Sequence, residues 1–125
     1  MSLAASTVFV VDDDVSVRDS LELLIESVGW HSQTFASARE FLGRLPFQAG
    51  PSCLVVDAGL PDFSSLERDS IGMPVILISG YDSNEVTVRA MQMGAVAVFT
   101  KPLEADALLR AVEDAVAGRR AAVDP

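Results

Sequence analysis

Short apolar runs alternate with longer amphipathic stretches along most of the chain. Four runs are rich in β-branched residues, and polar residues, Gly or Pro follow each of them, at positions 8–11, 53–56, 75–78 and 96–99. Such unbroken apolar segments are typical of strands that a parallel sheet buries on both faces. The segment 30–35 is more polar, which predicts a fifth strand at an edge of the sheet.

Apolar residues at helical spacing fill the stretches between these runs. Asp14 or Ser16 can cap the first predicted helix and Gly29 can end it. Its apolar face carries Val17, Leu21, Leu24, Ile25 and Val28.

Three further helices are predicted by the same criteria. The capping-box pair Ser37 and Glu40 predicts a short second helix. The next clear pattern contains Ala90 and Met93 and stops at Gly94. The last helix presents one apolar face, formed by Ala105, Leu108, Leu109, Val112 and Val116.

This alternation predicts an α/β fold with an open, doubly wound parallel sheet and helices on both faces. The 125 residues, 50% of them hydrophobic, suffice for one core and are too few for two ordinary domains. We therefore expect a single domain over residues 7–118. Residues 119–125 are interpreted as a C-terminal tail or as the start of a linker.

Charge and cysteine content narrow the function. A net charge of −9 argues against direct nucleic-acid binding, which needs clustered Lys and Arg. The one cysteine, Cys53, lies in an apolar run, where we expect it to pack as a small hydrophobic residue in a reducing cytoplasm. Neither a leader pattern nor a membrane-spanning apolar stretch is recognisable, so we expect a cytoplasmic protein without membrane contact.

Unusual polar residues stand at the ends of four of the five predicted strands. In an open α/β sheet, ligands bind beyond the carboxyl ends of the strands, so these residues are expected to meet in one crevice. They are Asp12, Asp13 and Asp14 after the first strand, Asp57 after the third, Ser79 after the fourth and Lys101 after the fifth. Carboxylates in such a group favour a hard cation, and Mg²⁺ fits best because it binds oxygen ligands and keeps waters that a phosphate can displace.

Each of these residues also has a structural interpretation. Asp14 is favoured as a helix cap, whereas the strand-end position of Asp12 and Asp13 favours a metal ligand. Lys101 is favoured as an anion clamp rather than a surface residue. Ser79 is favoured as a ligand contact because Gly80 follows it. The lone His31 and its neighbour Trp30 are interpreted as structural.

Three segments together resemble the receiver domain of two-component response regulators: "VFVVDDDVSVRDSL", "CLVVDAGLPD" and "PVILISGYDSNEVTVRAMQMGAVAVFTKPLEADALLRAV". The resemblance extends from Thr7 to Gly118 and implies the flavodoxin-like strand order 2-1-3-4-5. The chain resembles receivers of the kind that are joined to helix-turn-helix output domains.

The resemblance also implies a mechanism. Asp57 would accept a phosphoryl group from the phosphohistidine of a sensor histidine kinase. Asp12, Asp13, Asp57 and the backbone carbonyl of Gly59 would place Mg²⁺, the only cofactor. Lys101 would pair with the phosphoryl group, and the Ser79 hydroxyl would bond it. The implied partners are the kinase, a C-terminal DNA-binding domain outside this chain, and a second copy of the domain.

Two alternatives remain open at this level. A small phosphohydrolase of the haloacid dehalogenase type also uses a strand-end aspartate, a Ser or Thr and a Lys, but it needs a further acidic pair, and only Glu104 and Asp106 follow Lys101. A pseudo-receiver would keep the fold and bind partners without phosphorylation. The intact Asp13, Asp57 and Lys101 favour a phosphorylated switch that is not an enzyme in the ordinary sense.

The sequence departs from the family pattern at several places. The segment between Pro61 and Pro74 is shorter than usual by about seven residues, or about two helical turns, which predicts a stub in place of the third helix. Gly59 and Tyr81 occupy positions that influence phosphate lifetime in this family. Val98 stands where many receivers carry a mobile aromatic residue.

Overall fold

The computed structural model describes residues 6–45, 51–66, 71–80 and 84–118. The described strands are β1 (Thr7–Val11), β2 (His31–Phe35), β3 (Ser52–Asp57), β4 (Val75–Ser79) and β5 (Ala97–Thr100). The described α-helices are α1 (Val15–Ser27), α2 (Ala38–Leu42), α3 (Asn84–Met93) and α4 (Ala105–Val116), and a 3₁₀ turn spans Phe63–Ser65. The predicted strands are confirmed, with boundaries that shift by about one residue, the usual uncertainty of element ends.

All five strands are parallel and lie in the order β2-β1-β3-β4-β5. In this order β1, β3 and β4 are interior strands, and the polar strand β2 lies at an edge, as predicted. The register aligns Val11 with Val56 and Asp57 with Ile78. Because the ends of neighbouring strands are aligned, the residues at the carboxyl ends of β1 and β3 lie close together.

Hydrophobic side chains cover both faces of the sheet. One face packs against α1 and α4 through Leu21, Ile25, Leu108 and Val112. The other packs against α2, α3 and the segment that follows β3. This arrangement confirms the doubly wound fold, because the interior strands β1, β3 and β4 bury alternate side chains against helices on opposite sides of the sheet. None of the described helices is long and apolar enough to cross a lipid bilayer.

The helix caps follow from the local sequence. The Asp14 carboxylate accepts a hydrogen bond from the Ser16 N–H at 2.9 Å, and Gly29 follows α1 with a φ of +94°. A positive φ of this kind is available to Gly at little steric cost, which explains why α1 ends there. The second helix is capped by Ser37, whose hydroxyl accepts from the Glu40 N–H at 3.1 Å. The Glu40 carboxylate reaches back one residue further than a capping box requires, to the Ala36 N–H at 2.9 Å.

The segment after β3 is short and well buried. It contains the 3₁₀ turn and four apolar side chains that are each less than 10% exposed, Phe63, Leu66, Ile71 and Met73. These side chains pack into the same core cluster as Leu54 and Leu77 of the sheet. The prediction of a short third helix is confirmed. The apolar side chains of the shortened segment cover the sheet face that contains Leu54 and Leu77.

Replacing Leu66 by Ala is expected to lower the free energy of unfolding by about 2–4 kcal/mol, because Leu66 is 2% exposed and its loss leaves a cavity under the shortened segment. The matched control is Leu23→Ala on α1, where the side chain is 73% exposed and the expected change is below about 0.5 kcal/mol. Urea unfolding measures both. Equal effects of the two substitutions would show that the short segment is not part of the core.

Candidate functional site

Polar residues lie at the carboxyl ends of four strands of the sheet. Asp12 directly follows β1, Asp57 is the last residue of β3, Ser79 is the last residue of β4, and Lys101 directly follows β5. Asp12 and Ser79 are fully or almost fully buried, at 0% and 2% exposed, and Asp57 is 8% exposed. The convergence that the strand-end rule predicts is therefore present in the structure.

Lys101 bridges two of the carboxylates. Its Nζ lies 3.2 Å from Asp12 Oδ2 and 3.3 Å from Asp57 Oδ2. The other oxygen of each carboxylate accepts a backbone hydrogen bond, Asp12 Oδ1 from the Asp14 N–H and Asp57 Oδ1 from the Gly59 N–H, both at 2.9 Å. Each acid is thus held at two points, which fixes its orientation.

The acidic group also suits a metal ion. Asp12, Asp13 and Asp57 can each offer a carboxylate oxygen, and these oxygens lie within 4.8 Å of one another. Oxygen ligands around one Mg²⁺ are separated by about 3–4 Å, given its octahedral bonds of about 2.1 Å, so only small side-chain movements are required. The donor set is entirely oxygen, as this ion prefers, and the exposed side chain of Asp13 leaves room for waters.

Burial and charge perturb the site electrostatically. Burial raises the pKa of Asp12 above its ordinary value, and the negative charge of Asp57 adds to the increase, whereas hydrogen bonds from Asp14 and Lys101 only partly offset it. Burial alone would lower the pKa of Lys101, but its hydrogen bonds and ion pairs with Asp12 and Asp57 outweigh that effect and raise the pKa. Lys101 therefore stays cationic at neutral pH, while ionised Asp12 carries a cost that a bound cation would relieve.

We expect Asp12→Asn to raise the urea midpoint of the metal-free protein at neutral pH. The pKa of Asp12 is raised in the folded state, so wild-type stability falls as pH rises from the ordinary value of 3.8 through the higher folded value. The cost of ionised Asp12 is present above the raised folded pKa and absent well below 3.8, where the wild-type carboxyl is also neutral. The gain in midpoint should therefore shrink in acid. A midpoint at or below that of the wild type at neutral pH would contradict the prediction.

Residue 59 is a glycine that lies close beside the Asp57 carboxylate. A Cβ at this position would lie 3.3 Å from Asp57 Oδ1, which is closer than most contacts of a real Cβ. Gly59 therefore leaves an approach to the carboxylate that any side chain would narrow. On the far side, the Ser79 carbonyl accepts a 2.7 Å hydrogen bond from the Lys101 N–H, which ties the end of β4 to the turn that carries the lysine.

Residues 8–113 match the family model of the response regulator receiver domain. The chain belongs to the response regulator receiver family. Nodulation protein W of Bradyrhizobium diazoefficiens is 44% identical over 84% of this chain and 48% of its own length. The transcriptional regulatory protein TdiR of Thauera aromatica is 36% identical over 96% of this chain and 55% of its own length. The receiver domain thus spans about half the length of these relatives.

A solved structure agrees with this assignment. A CheY-like receiver domain protein from Methanospirillum hungatei superposes with a TM-score of 0.80 and 27% identity, over 91% of this chain and 95% of that one. The relatives are response regulators and not haloacid dehalogenases. The resemblance that the sequence motifs indicate is therefore confirmed, and the phosphohydrolase alternative loses its support.

Other predicted site residues lie outside the acidic group. Asp14 is exposed and caps α1, as favoured from sequence. His31 is exposed at the start of β2, and Trp30 is buried in the core next to it. Both lie at the opposite end of β2 from the acids of the receiver domain. Val98 is 40% exposed on β5, and Tyr81 lies outside the described residues.

Two polar contacts around the site are missing from the sequence interpretation. Arg18 Nη1 donates a 2.7 Å hydrogen bond to the Asp12 carbonyl, so α1 supports the strand end that carries the acids. Asp62, five residues after Asp57, accepts hydrogen bonds from the N–H groups of Ala38 and Arg39 at 3.2 and 2.9 Å. The sequence offered one signal for the role of Arg18. The partial positive charge at a helix N-terminus favours acidic residues, so a basic residue in the first turn of α1 is unusual.

Proposed function

We propose that this receiver domain is a phosphorylated switch in which Asp57 accepts a phosphoryl group from the phosphohistidine of a sensor histidine kinase. The observation that carries the proposal is the bridge from Lys101 to both Asp12 and Asp57, beside a glycine at residue 59 that does not crowd the Asp57 carboxylate. The arrangement combines a nucleophile, a fixed cation and an oxygen-rich metal group within one crevice.

The chemistry requires neutralisation of charge more than it requires a strong base. A carboxylate approaches a negatively charged phosphoryl group, so transfer depends on positioning and on electrostatic stabilisation. An Asp57 oxygen forms the new O–P bond as the P–N bond to histidine breaks, and the departing imidazole nitrogen keeps the bonding electron pair. Mg²⁺, held by Asp12, Asp13, Asp57 and the Gly59 carbonyl, would supply positive charge to the phosphoryl oxygens.

The protein's own residues supply the rest. Lys101 is held beside the acceptor by its two ion pairs and its raised pKa keeps it charged, so its ammonium group can pair with an incoming phosphoryl oxygen. Ser79, buried at the end of β4, provides the hydroxyl that would bond the phosphoryl group. The expected product is an aspartyl phosphate that persists as a signal, and the domain is not an enzyme with an external substrate.

The partners follow from the relatives and from charge. The matched relatives are about twice as long as this domain, and one of them is a transcriptional regulatory protein. Residues 119–125 would then begin a linker to a DNA-binding output domain, with dimerisation through a second copy of the receiver. The net charge of −9 leaves DNA contact to that output domain. A cytoplasmic location, with the kinase as phosphoryl donor, completes the proposal.

Phosphoramidate tests the proposed function because, like phosphohistidine, it presents phosphorus bonded to nitrogen. Incubation with phosphoramidate and Mg²⁺ should yield up to one stable phosphoryl group per chain, measured by intact mass and phosphorus NMR. Continuous release of inorganic phosphate without a retained group would support a phosphohydrolase instead. Absence of both, with a folded protein, would support a pseudo-receiver.

The route by which phosphorylation alters the surface is a separate prediction. Val98 is a small side chain, 40% exposed on β5, and cannot sweep the arc of an aromatic ring. By contrast, the Arg89 guanidinium of α3 lies 5.7 Å from the ring centroid of Phe63, so the segment after Asp57 contacts the helix that follows Ser79. Since this contact joins the segment after the acceptor to the helix that follows Ser79, we expect a shift of the conformational equilibrium to pass through it.

Amide chemical-shift mapping with the phosphate mimic beryllofluoride measures that route. The expected result is larger shifts at Gly59, Phe63, Ser79 and Arg89 than along β5 and α4. Large shifts spread along β5 and α4, with small ones at Phe63 and Arg89, would show that the signal takes another path.

A further inference from the structure

The loop that follows Asp57 is tied to a helix from another part of the chain. Asp62 Oδ1 accepts from the Ala38 N–H at 3.2 Å, and Asp62 Oδ2 accepts from the Arg39 N–H at 2.9 Å. Both amides belong to the first turn of α2, where N–H groups have no partner within the helix. One carboxylate therefore satisfies two such groups and joins elements that are more than 20 residues apart in sequence.

Both ends of this loop are fixed. At its start, the Ala58 N–H donates to the Ile78 carbonyl at 2.8 Å, which continues the pairing of β3 with β4. At its end, Asp62 is bonded to α2, and α2 is itself anchored in the core by Ala38 and Phe41, both 0% exposed. Gly59 lies between these two anchors and lacks a side chain that could hold it in place.

We infer that Asp62 is a positioning residue for the metal centre. By fixing the loop against α2, it holds the Gly59 backbone so that its N–H bonds Asp57 Oδ1 and its carbonyl is available to the ion. This inference rests on the proposed function, since Gly59 as a ligand belongs to that proposal. It adds a residue that contacts neither the ion nor the phosphoryl group and controls the affinity for Mg²⁺ through the backbone.

The competing explanation is that Asp62 only stabilises α2. That helix already has two caps of its own, since the Ser37 hydroxyl accepts from the Glu40 N–H and the Glu40 carboxylate accepts from the Ala36 N–H. Ser37→Ala is therefore a matched control, because it removes a cap from the same helix end without touching the loop. If Asp62 only stabilises α2, Asp62→Ala and Ser37→Ala should both lower stability, by different amounts, and should have the same effect on Mg²⁺ binding.

The test is a Mg²⁺ titration of the full chain, followed by the backbone amide shifts of Asp13 and Gly59. We expect Asp62→Ala to weaken Mg²⁺ binding by about tenfold, the lower end of the range for residues that support metal ligands. Asp62→Asn keeps one acceptor oxygen and should fall between Asp62→Ala and the wild type. Ser37→Ala should lower the urea midpoint yet bind Mg²⁺ as the wild type does.

Three outcomes would overturn the inference. Mg²⁺ binding by Asp62→Ala with wild-type affinity would show that the contact does not position the site. Equal weakening by Ser37→Ala would show that helix stability is the cause. A wild-type domain that shows no Mg²⁺-dependent shifts would overturn the proposed function as well, so the failure of the proposal is distinguishable from failure of the inference alone.

Discussion

Asp57→Asn is expected to eliminate phosphorylation of the domain by acetyl phosphate and Mg²⁺. The amide that replaces the carboxylate has no negative oxygen to form the O–P bond, while its size and its hydrogen bond from the Gly59 N–H at 2.9 Å can be retained. Intact mass after incubation should show a phosphoryl increment in the wild type and none in the variant. Because the variant lacks the nucleophile itself, the expected loss is complete rather than partial.

Asp14→Asn is the matched control for this experiment. Asp14 is also an aspartate near a strand end of the site, but it is exposed and its carboxylate caps α1. The control should be phosphorylated to the same extent as the wild type, with a small loss of stability. A phosphoryl increment that persists in Asp57→Asn would place the modification on another residue and would remove the basis of the proposed function.

Asp13→Ala is expected to abolish the response to Mg²⁺ at concentrations that saturate the wild type. Mg²⁺ is commonly held by only one or two carboxylates together with waters, so the loss of one anionic ligand removes a large share of the binding free energy. Asp13 is the exposed member of the acidic group, and its removal should leave the buried pair of Asp12 with Lys101 intact. The measurement is the Mg²⁺-induced change in amide shifts at Asp12 and Gly59.

Asp19→Ala serves as the control, because Asp19 is an exposed acid on α1 away from the strand ends. It removes the same charge and should leave the titration unchanged. Trp30 fluorescence is a poor probe of Mg²⁺ binding, since Trp30 lies at the start of β2 and the acidic group lies at the carboxyl ends of the strands. An unchanged titration of Asp13→Ala would exclude this residue as a ligand.

The fold was predictable because its signals are local. Each buried strand is a short apolar run, and caps such as Asp14 and Ser37 act on amides two or three residues away. The strand order, in contrast, came from the resemblance, because periodicity alone does not say which strands are neighbours. Prediction also placed strand ends only within about a residue, since end residues are held by fewer hydrogen bonds.

The acidic group was predictable from one topological rule, since parallel strands end on the same side of a sheet. The contacts that support it were not. Asp62 bonds amides of α2, and Arg89 lies over Phe63, and both contacts depend on how loops pack in three dimensions. The short segment was predicted as a stub, but whether its apolar residues cover the sheet depended on the conformation that they adopt.

The thiol of Cys53 can report how often β3 is transiently exposed to solvent. The thiol lies on β3 at 0% exposure, and burial raises its pKa to about 12. Thiolate is the reactive form, so the native protein should resist alkylation at neutral pH. Since the chain contains one cysteine, the alkylation rate under native conditions reports how often the central strand becomes accessible. Any ligand that binds only the folded state must slow that reaction, without an attached label or an engineered site.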